Sequence, residues 1–558
     1  MPTVRIDVRD FGRLVGRPLS RRQLEESLPL VKCEVKDLVN GQLVLETNAD
    51  RPDMLSAEGM ARSLEGFLGL KMGPSKLRLR PSPVHVIVDR NVEQIRPFIS
   101  CSIARKVRFT ENSLHQLLQL QEKLHEGLCR NRRKASIGIY DLNKTTPPMK
   151  YSGVNPERIE FTPLEENKKM RAKDILDKTA KGREFGKIIS NFSRYPVLSD
   201  RHHQVLSMPP IVNSEDTKLT IESNELFIDV TGLSEDLTNK VLCIIAFALA
   251  DRGAEIEKVS IDYKSRTSAT PELRTRKIII DSSIVNSISG LNLKDHAIVQ
   301  ILRRMRMESR VISRGKIAVE IPPYRADIMH TVDVVEDVII GYGYHNIPAE
   351  SPPAITFGHE LKRSVFIRRV RDIMASFGFQ EILNYLLTNP ELQVSKMNLN
   401  SLELVELTNP LSGEYSTLRR WLLPGILNFL SKNSHVDYPQ KVFECGDSLV
   451  FDEKTETQTK SELKVAAAVS DDIVSFESIQ SVLYGLLSSL GCVDWRIEPS
   501  SHPSFVAGRN AAIVVGNMKV ALLGEVYPAV LNRFGIPNPT AAFELDLGPI
   551  LARGSRSN

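Results

Sequence analysis

The chain has 558 residues, 42% of them hydrophobic and 25% charged, with 73 Lys and Arg against 68 Asp and Glu and a net charge of +5. At roughly 100–200 residues per domain this length implies three to five domains, and the composition excludes a fibrous repeat or wholesale disorder. So small a charge neither requires nor excludes a nucleic acid. Any such contact must come from a local cluster, and the densest, Arg130, Arg132, Arg133 and Lys134, reads on its own as a solvated helix end.

The N-terminus, Met1-Pro2-Thr3-Val4-Arg5-Ile6-Asp7, alternates polar and apolar residues and lacks a continuous apolar core, so it predicts a first strand and not a signal peptide. Apolar residues recur at helical spacing over Leu55 to Leu70 behind a Ser56 cap. Residues 1–85 therefore form a small α/β module, closed by Arg80-Pro81-Ser82-Pro83, which reads as a linker. Residues 86–268 mix short β runs (Ile137 to Tyr140, Leu226 to Val230) with helices (Leu114 to Leu128, Leu237 to Asp251), an α+β domain.

Thr267 to Pro271 reads as the next boundary. A strand at Lys277 to Ile280, a helix at Asp295 to Met305, a second strand pair and a helix at about 331–342 then make a compact domain over 272–349, closed by Pro348, Pro352 and Pro353. Residues 355–550 open with an amphipathic basic helix, Leu361 to Phe377, and alternate strands with helices. Ala552 to Asn558 is small and polar and is expected to lack order. The whole reads as a multidomain α+β protein.

Six cysteines, Cys33, Cys101, Cys129, Cys243, Cys445 and Cys492, lie far apart with no zinc spacing, which suits free thiols in a reducing cytoplasm. The longest apolar run, Val241 to Ala250, is about half of a bilayer span, so no membrane partner is expected.

Three sets of residues stand out. In Tyr324-Arg325-Ala326-Asp327-Ile328-Met329-His330-Thr331-Val332-Asp333-Val334-Val335-Glu336-Asp337, a helical second half places Asp333, Glu336 and Asp337 on one face, with Asp327 one loop before them. Four converging carboxylates suit a hard cation such as Mg²⁺; the same residues equally complement a helix N-terminal dipole. The block Asn48-Ala49-Asp50-Arg51-Pro52-Asp53-Met54-Leu55-Ser56, with Gly59, Ala61 and Arg62, is physically a turn and a helix cap and is assigned no chemistry. The third set runs through Gln121 to His125, Arg130 to Lys134, Gly138 to Asp141, Pro196 to Leu198, Leu206 to Glu215 and Phe227 to Gly232.

In order and spacing these blocks resemble the β subunit of phenylalanine–tRNA ligase, in its archaeal and eukaryotic cytosolic form, over about residues 3–550. The resemblance implies Mg²⁺ held by Asp327, Asp333, Glu336 and Asp337 at a junction with an α subunit, in a structural role. It implies an editing, tRNA-binding domain over 86–268 that hydrolyses Tyr-tRNA(Phe), its pocket lined by Leu198, Ser207, Asp229 and Thr231, with Asn213 and Glu215 close by. Ser207 and Thr231 would orient water or the ester, and Asp229 would accept the tyrosine hydroxyl. Such a domain has a physical purpose, since an apolar pocket rejects an added hydroxyl only about 100-fold.

The blocks around Gly378 to Ile382, Thr408 to Ser412, Leu418-Arg419, Phe443 to Asp447 and Phe543 to Gly548 resemble a class II synthetase module. Val442 stands where active class II enzymes carry the ATP-gripping arginine two residues before the glutamate, here Glu444, and the C-terminal glycine-rich stretch with its arginine is missing. The module is therefore expected to be catalytically silent and to serve an α₂β₂ assembly whose α subunits bind ATP and phenylalanine. The extra C-terminal RNA-binding domain of the longer bacterial form is not expected after this module, and whether this chain contacts the anticodon is left open by the resemblance. Two other classes fit parts of the pattern. A carboxylate-metal hydrolase would use Asp327, Asp333, Glu336 and Asp337; an RNA-binding scaffold would bind tRNA without hydrolysing an ester.

Overall fold

The computed structural model describes residues 2–351 and 356–554 and divides the chain into two compact units, 1–351 and 352–558. The first unit begins with a three-stranded antiparallel sheet, Thr3–Asp7, Gln42–Thr47 and Cys33–Val39 in that spatial order. Helices Val8–Val15 and Ala57–Phe67 pack on it through Phe11, Val15, Met60 and Leu64. Ser56 caps the second of these, its side chain accepting from the Gly59 amide at 3.1 Å.

A ten-stranded mixed sheet follows, in which Leu226–Gly232 lies between Phe98–Arg105 and Ala135–Asp141, antiparallel to both. Helices Glu111–Glu126 and Glu235–Asp251 cover one face. The other face buries Val86, Ile99, Tyr140, Tyr151, Leu198 and Phe227 in a separate core. Alternation along Leu226–Gly232 sends Ile228 and Val230 to the helices and Phe227 to the second core, and by the same period places Asp229 and Thr231 on the side of Phe227. The third part is a small antiparallel sheet, Arg276–Asp281, Lys316–Ile321 and Glu308–Ser313, with helices Ser282–Ser289, Asp295–Arg304 and Thr331–Tyr342.

The second unit holds a seven-stranded sheet whose central strands, Gln440–Phe451, Thr459–Ser470, Thr540–Asp546 and Met518–Val526, are antiparallel. Helices Lys362–Ser376 and Phe476–Ser489 pack on one face, Leu423–Lys432 and Pro528–Phe534 on the other.

Several sequence expectations are corrected. Arg80 to Pro83 is no linker but part of the strand Leu79–Val88, parallel to Glu255–Tyr263. Its prolines are tolerated because the register shifts just there, and the other neighbour, Met149–Val154, pairs only with Val86 to Val88, so few ladder donors are asked of Pro81 and Pro83. Thr267 to Thr270 likewise lies in a strand, Arg266–Thr270, and Thr270 exchanges hydrogen bonds with the Cys101 backbone. Helix Gly548–Gly554 carries order past Ala552, while the expectations for Pro352, Pro353 and residues 555–558 fall outside the described residues. All six cysteines are buried, and none forms a disulfide among the described residues. Among the described residues no helix is long and apolar enough to cross a membrane.

Candidate functional site

Leu198 and Ser207 face each other across the strand pair Tyr195–Ser199 and Val205–Met208, and Asp229 and Thr231 lie two apart on Leu226–Gly232. Tyr140 joins these elements. Its hydroxyl is 2.6 Å from Asp229 Oδ1 and 2.7 Å from Ser207 Oγ, and its ring stacks on Phe227. The phenol has one proton, so one of these bonds is donated to it; the carboxylate, having none to give when ionised, takes the phenol's. The cluster is deep, with Asp229 1% exposed and Ser207 2%.

Gly138 is what admits Tyr140. It lies opposite Asp229 in the ladder, and a Cβ there would come within 2.0 Å of the Tyr140 hydroxyl and 2.3 Å of Asp229 Oδ1. Burial pushes the Asp229 carboxyl up from its ordinary value to about 7, against the opposing pull of the Tyr140 hydrogen bond and the Arg96 charge. Asp229 is thus poised between its two protonation states near neutral pH.

Thr231 is already engaged. Its hydroxyl accepts from Arg96 Nε at 3.0 Å and is 3.0 Å from Ser136 Oγ, while Arg96 Nη2 donates to the carbonyls of Thr231 and Arg132. Arg96 is buried, so Thr231 serves to seat a guanidinium beside Asp229. The Asn213 backbone pairs with Ser207. Glu215 is a tether, Oε2 accepting from the Glu165 amide at 2.8 Å and Oε1 pairing with Lys218 at 2.9 Å. Sequence reasoning missed Tyr140, Arg96 and Ser136. The available signal was Ser136, Gly138 and Tyr140 alternating on one strand face, with a glycine at the centre where a close approach would need one.

Arg132 does not lie at a solvated helix end. It is buried, donates to the Ile211 carbonyl at 2.9 Å and to Glu122 at 2.9 Å, and stacks on Phe185.

The acidic segment differs from its expectation in a related way. Asp333, Glu336 and Asp337 do lie on the helix Thr331–Tyr342, but the four carboxylates do not converge. Asp327 takes a bidentate grip from Arg325, which also donates to Asp337 at 2.7 Å. Asp333 accepts from the Met329 and His330 amides at 2.7 and 2.6 Å, and Glu336 pairs with Lys32 at 2.7 Å. Among the described residues no group of three or more His, Cys, Asp or Glu side chains is arranged to hold a metal. As placed, these residues do not fit a shared Mg²⁺, because two cationic side chains and two backbone amides already satisfy them. The Asn48 to Arg62 block, assigned no chemistry, belongs to the same place. Arg51 grips Asp53 bidentately and lies 3.9 Å from Asp327, Lys32 bridges Asp50 and Glu336, and Arg62 lies over the Tyr324 ring while bonding Asp251. Burial alone would raise the Asp327 carboxyl, but the Arg325 and Arg51 charges bring it down to about 2.

In the second unit Glu444, 1% exposed, is held by Arg419 and by Asn384 at 2.7 Å, and Glu544 by Lys464 and the Leu422 and Leu423 amides. Val442 is buried two residues before Glu444.

Comparison with known proteins gives these features a family. Two family models match, the tRNA synthetase B5 domain over residues 278–344 and the phenylalanyl tRNA synthetase beta chain CLM domain over residues 347–547. The chain is 38% identical to the phenylalanine–tRNA ligase beta subunit of Pyrococcus horikoshii, covering 99% of this chain and 100% of that one. It is 34% identical to the subunit of the same name from Methanococcoides burtonii, covering 98% and 100%. The crystal structure of an N-terminal fragment of the Pyrococcus horikoshii phenylalanyl-tRNA synthetase β-subunit superposes with a TM-score of 0.59 at 37% identity, covering 61% of this chain and 99% of the fragment. A mixed α+β, multidomain chain with these two modules is of the aminoacyl-tRNA synthetase class. The chain belongs to the phenylalanine–tRNA ligase β-subunit family.

Proposed function

We propose that this chain is the non-aminoacylating subunit of a cytoplasmic phenylalanine–tRNA ligase, paired with α subunits in an α₂β₂ assembly, and that it proofreads. The α subunits would bind ATP and phenylalanine and form the ester. The 355–550 module would be silent in that reaction, a reading supported by Val442 in place of an ATP-gripping arginine and by the pairing of Arg419 with Glu444 and Lys464 with Glu544, which engages those cations internally. Its surface would then serve assembly.

The observation that carries the editing reading is the Asp229–Tyr140–Ser207 cluster. Tyr140 bonds Oδ1, and Oδ2 would accept a second phenol, that of a tyrosyl ester. Phenylalanine, lacking the hydroxyl, would leave that acceptor unpaired, and sites built to bond a hydroxyl discriminate strongly against the analogue without one. In the hydrolysis the water oxygen bonds to the acyl carbon, the acyl–ribose C–O bond breaks, and a proton passes to the ribose oxygen, releasing tyrosine and intact tRNA. Leu198 would wall the ring, Ser207 would orient the ester or the water, and Thr231 would act through Arg96. No step is routed through Mg²⁺, given how Asp327, Asp333, Glu336 and Asp337 are engaged.

The test is deacylation of Tyr-tRNA(Phe) and Phe-tRNA(Phe) by the assembled complex, with and without Asp229→Ala. Selective loss of the tyrosyl ester, abolished by the substitution, is expected. Persistence of both esters in the wild type would reduce the chain to a scaffold.

A further inference from the structure

Residues 160–194 contain nine Lys and Arg against six Asp and Glu, a balance of +3, and all nine cations fall within 167–194, where only three of the acidic residues lie. This segment is a small lobe, a short hairpin Glu160–Phe161 and Met170–Arg171 followed by helices Ala172–Lys178 and Ala180–Phe185. Its apolar side, with Phe161, Ile175 and Ile189, packs on Val197 and Met208, which belong to the strands that carry Leu198 and Ser207. Arg132 pins it from the other flank by stacking on Phe185.

The outward side is cationic and uncommitted. Lys168, Lys169, Arg171, Lys173, Arg183 and Lys187 are exposed, and the ion pairs of the lobe use Lys178 and Lys181 instead. Two hollows open beside it. One, of ≈630 Å³, is lined by Lys168, Lys169, Arg171 and Lys178 together with Glu160, Glu166 and Asp174; the other, of ≈530 Å³, by Arg133 and Lys187 together with Glu184. Close by in sequence is Phe192, 38% exposed. Exposed cations flanking hollows, with an exposed aromatic ring near in sequence, suit a nucleic-acid strand, whose phosphates are neutralised and whose bases can stack. A membrane surface is disfavoured, since the two helices have seven and six residues, too short for an amphipathic face to lie in an interface.

We propose that the 160–194 lobe is the docking surface for the acceptor arm of the aminoacylated tRNA, holding its phosphates while the single-stranded end presents the ester beside Leu198 and Ser207. This rests on the editing function proposed above and names where its RNA substrate is held. Such a surface works through affinity, so its loss raises KM and leaves the turnover at saturation unchanged.

The test uses the assembled α₂β₂ complex carrying Lys168→Gln, Lys169→Gln, Arg171→Gln and Lys173→Gln together, with Arg21→Gln and Arg22→Gln as an equally exposed control. Deacylation of Tyr-tRNA(Phe) and tRNA binding are followed from 50 to 200 mM salt. The quadruple variant is expected to raise the deacylation KM about tenfold or more at constant kcat, and to flatten the salt dependence by about 0.7–0.9 log units per log unit of salt for each phosphate that is no longer neutralised. The control is expected to match the wild type. An unchanged KM and salt slope would overturn the proposal, as would unchanged tRNA binding with loss of α, which would make this face a protein interface. If the wild type itself spares the ester, the editing function fails; weakened tRNA binding by the quadruple variant would then still support the lobe as an RNA surface. Retention of the far-UV signal and of the aminoacylation rate guards against misfolding.

Discussion

Two aspartates of the first unit, the buried Asp229 and the largely buried Asp327, stand in opposite electrostatic states. Removal from water by itself favours the protonated form of each. Asp327 is gripped by a guanidinium and drops to about 2; Asp229 is bonded by a phenol, and burial outweighs that bond and the Arg96 charge so that it rises to about 7. The partner, not the burial, sets the outcome. A fully paired carboxylate is architecture, tying residues 51–53 to residues 325–337 across about 270 residues of chain, whereas a carboxylate left near its midpoint at neutral pH is equipped for chemistry.

The comparison breaks most severely at Arg325. Replacing it by Met should strand Asp327 and Asp337 in the interior and cost about 3–5 kcal/mol, read as a lower denaturant midpoint of the chain. A midpoint unchanged within error would mean that the pair is solvated and the network ornamental. At the other aspartate, Asp229→Ala should leave stability nearly alone but slow tyrosyl-ester hydrolysis about 100-fold or more, with phenylalanine charging by the complex intact; hydrolysis at the wild-type rate would remove Asp229 from the site.

Tyr140→Phe sharpens the same contrast. It deletes the hydrogen bond that opposes the rise of the Asp229 carboxyl, so hydrolysis should fall about tenfold and its pH profile should shift to higher pH. A profile that stays in place with normal activity would assign the phenol to packing alone. The pH dependence of stability should also carry opposite signs. The contribution of Asp327, whose pKa is depressed, is present above about pH 4 and lost as pH falls toward about 2; that of Asp229, whose pKa is raised, is present below about pH 4 and lost as pH rises toward about 7. Unfolding titrations of Asp327→Asn and Asp229→Asn should each flatten only their own window. Smallest of all, Ser56→Ala should cost about 1 kcal/mol through the lost cap of Ala57–Phe67, measured in the same denaturant series.

What could be read from the sequence follows from locality. The helix at 331–342, the Ser56 cap, the strand at Leu226–Val230 and the order of the motif blocks depend on residues within a few positions of one another, where period and capping chemistry speak directly. The linker reading at Arg80 to Pro83 failed because the tolerance for its prolines lies in a partner strand some 175 residues away. In the same way Asp327, Asp333, Glu336 and Asp337 look like one cluster when only their own segment is visible. Lys32 and Arg51, which bring cations from the N-terminal module, are invisible at that range.

The sequence by itself therefore determined the kind of chain and singled out the side chains proposed for the editing pocket, Leu198, Ser207, Asp229 and Thr231. Only the tertiary structure decided which groups meet: Tyr140 on Asp229 through the gap left by Gly138, Arg96 on Thr231, Arg325 between two aspartates. The physical reason is that a carboxylate's charge state belongs to its neighbours, and in a folded sheet those neighbours come from strands far apart in the chain.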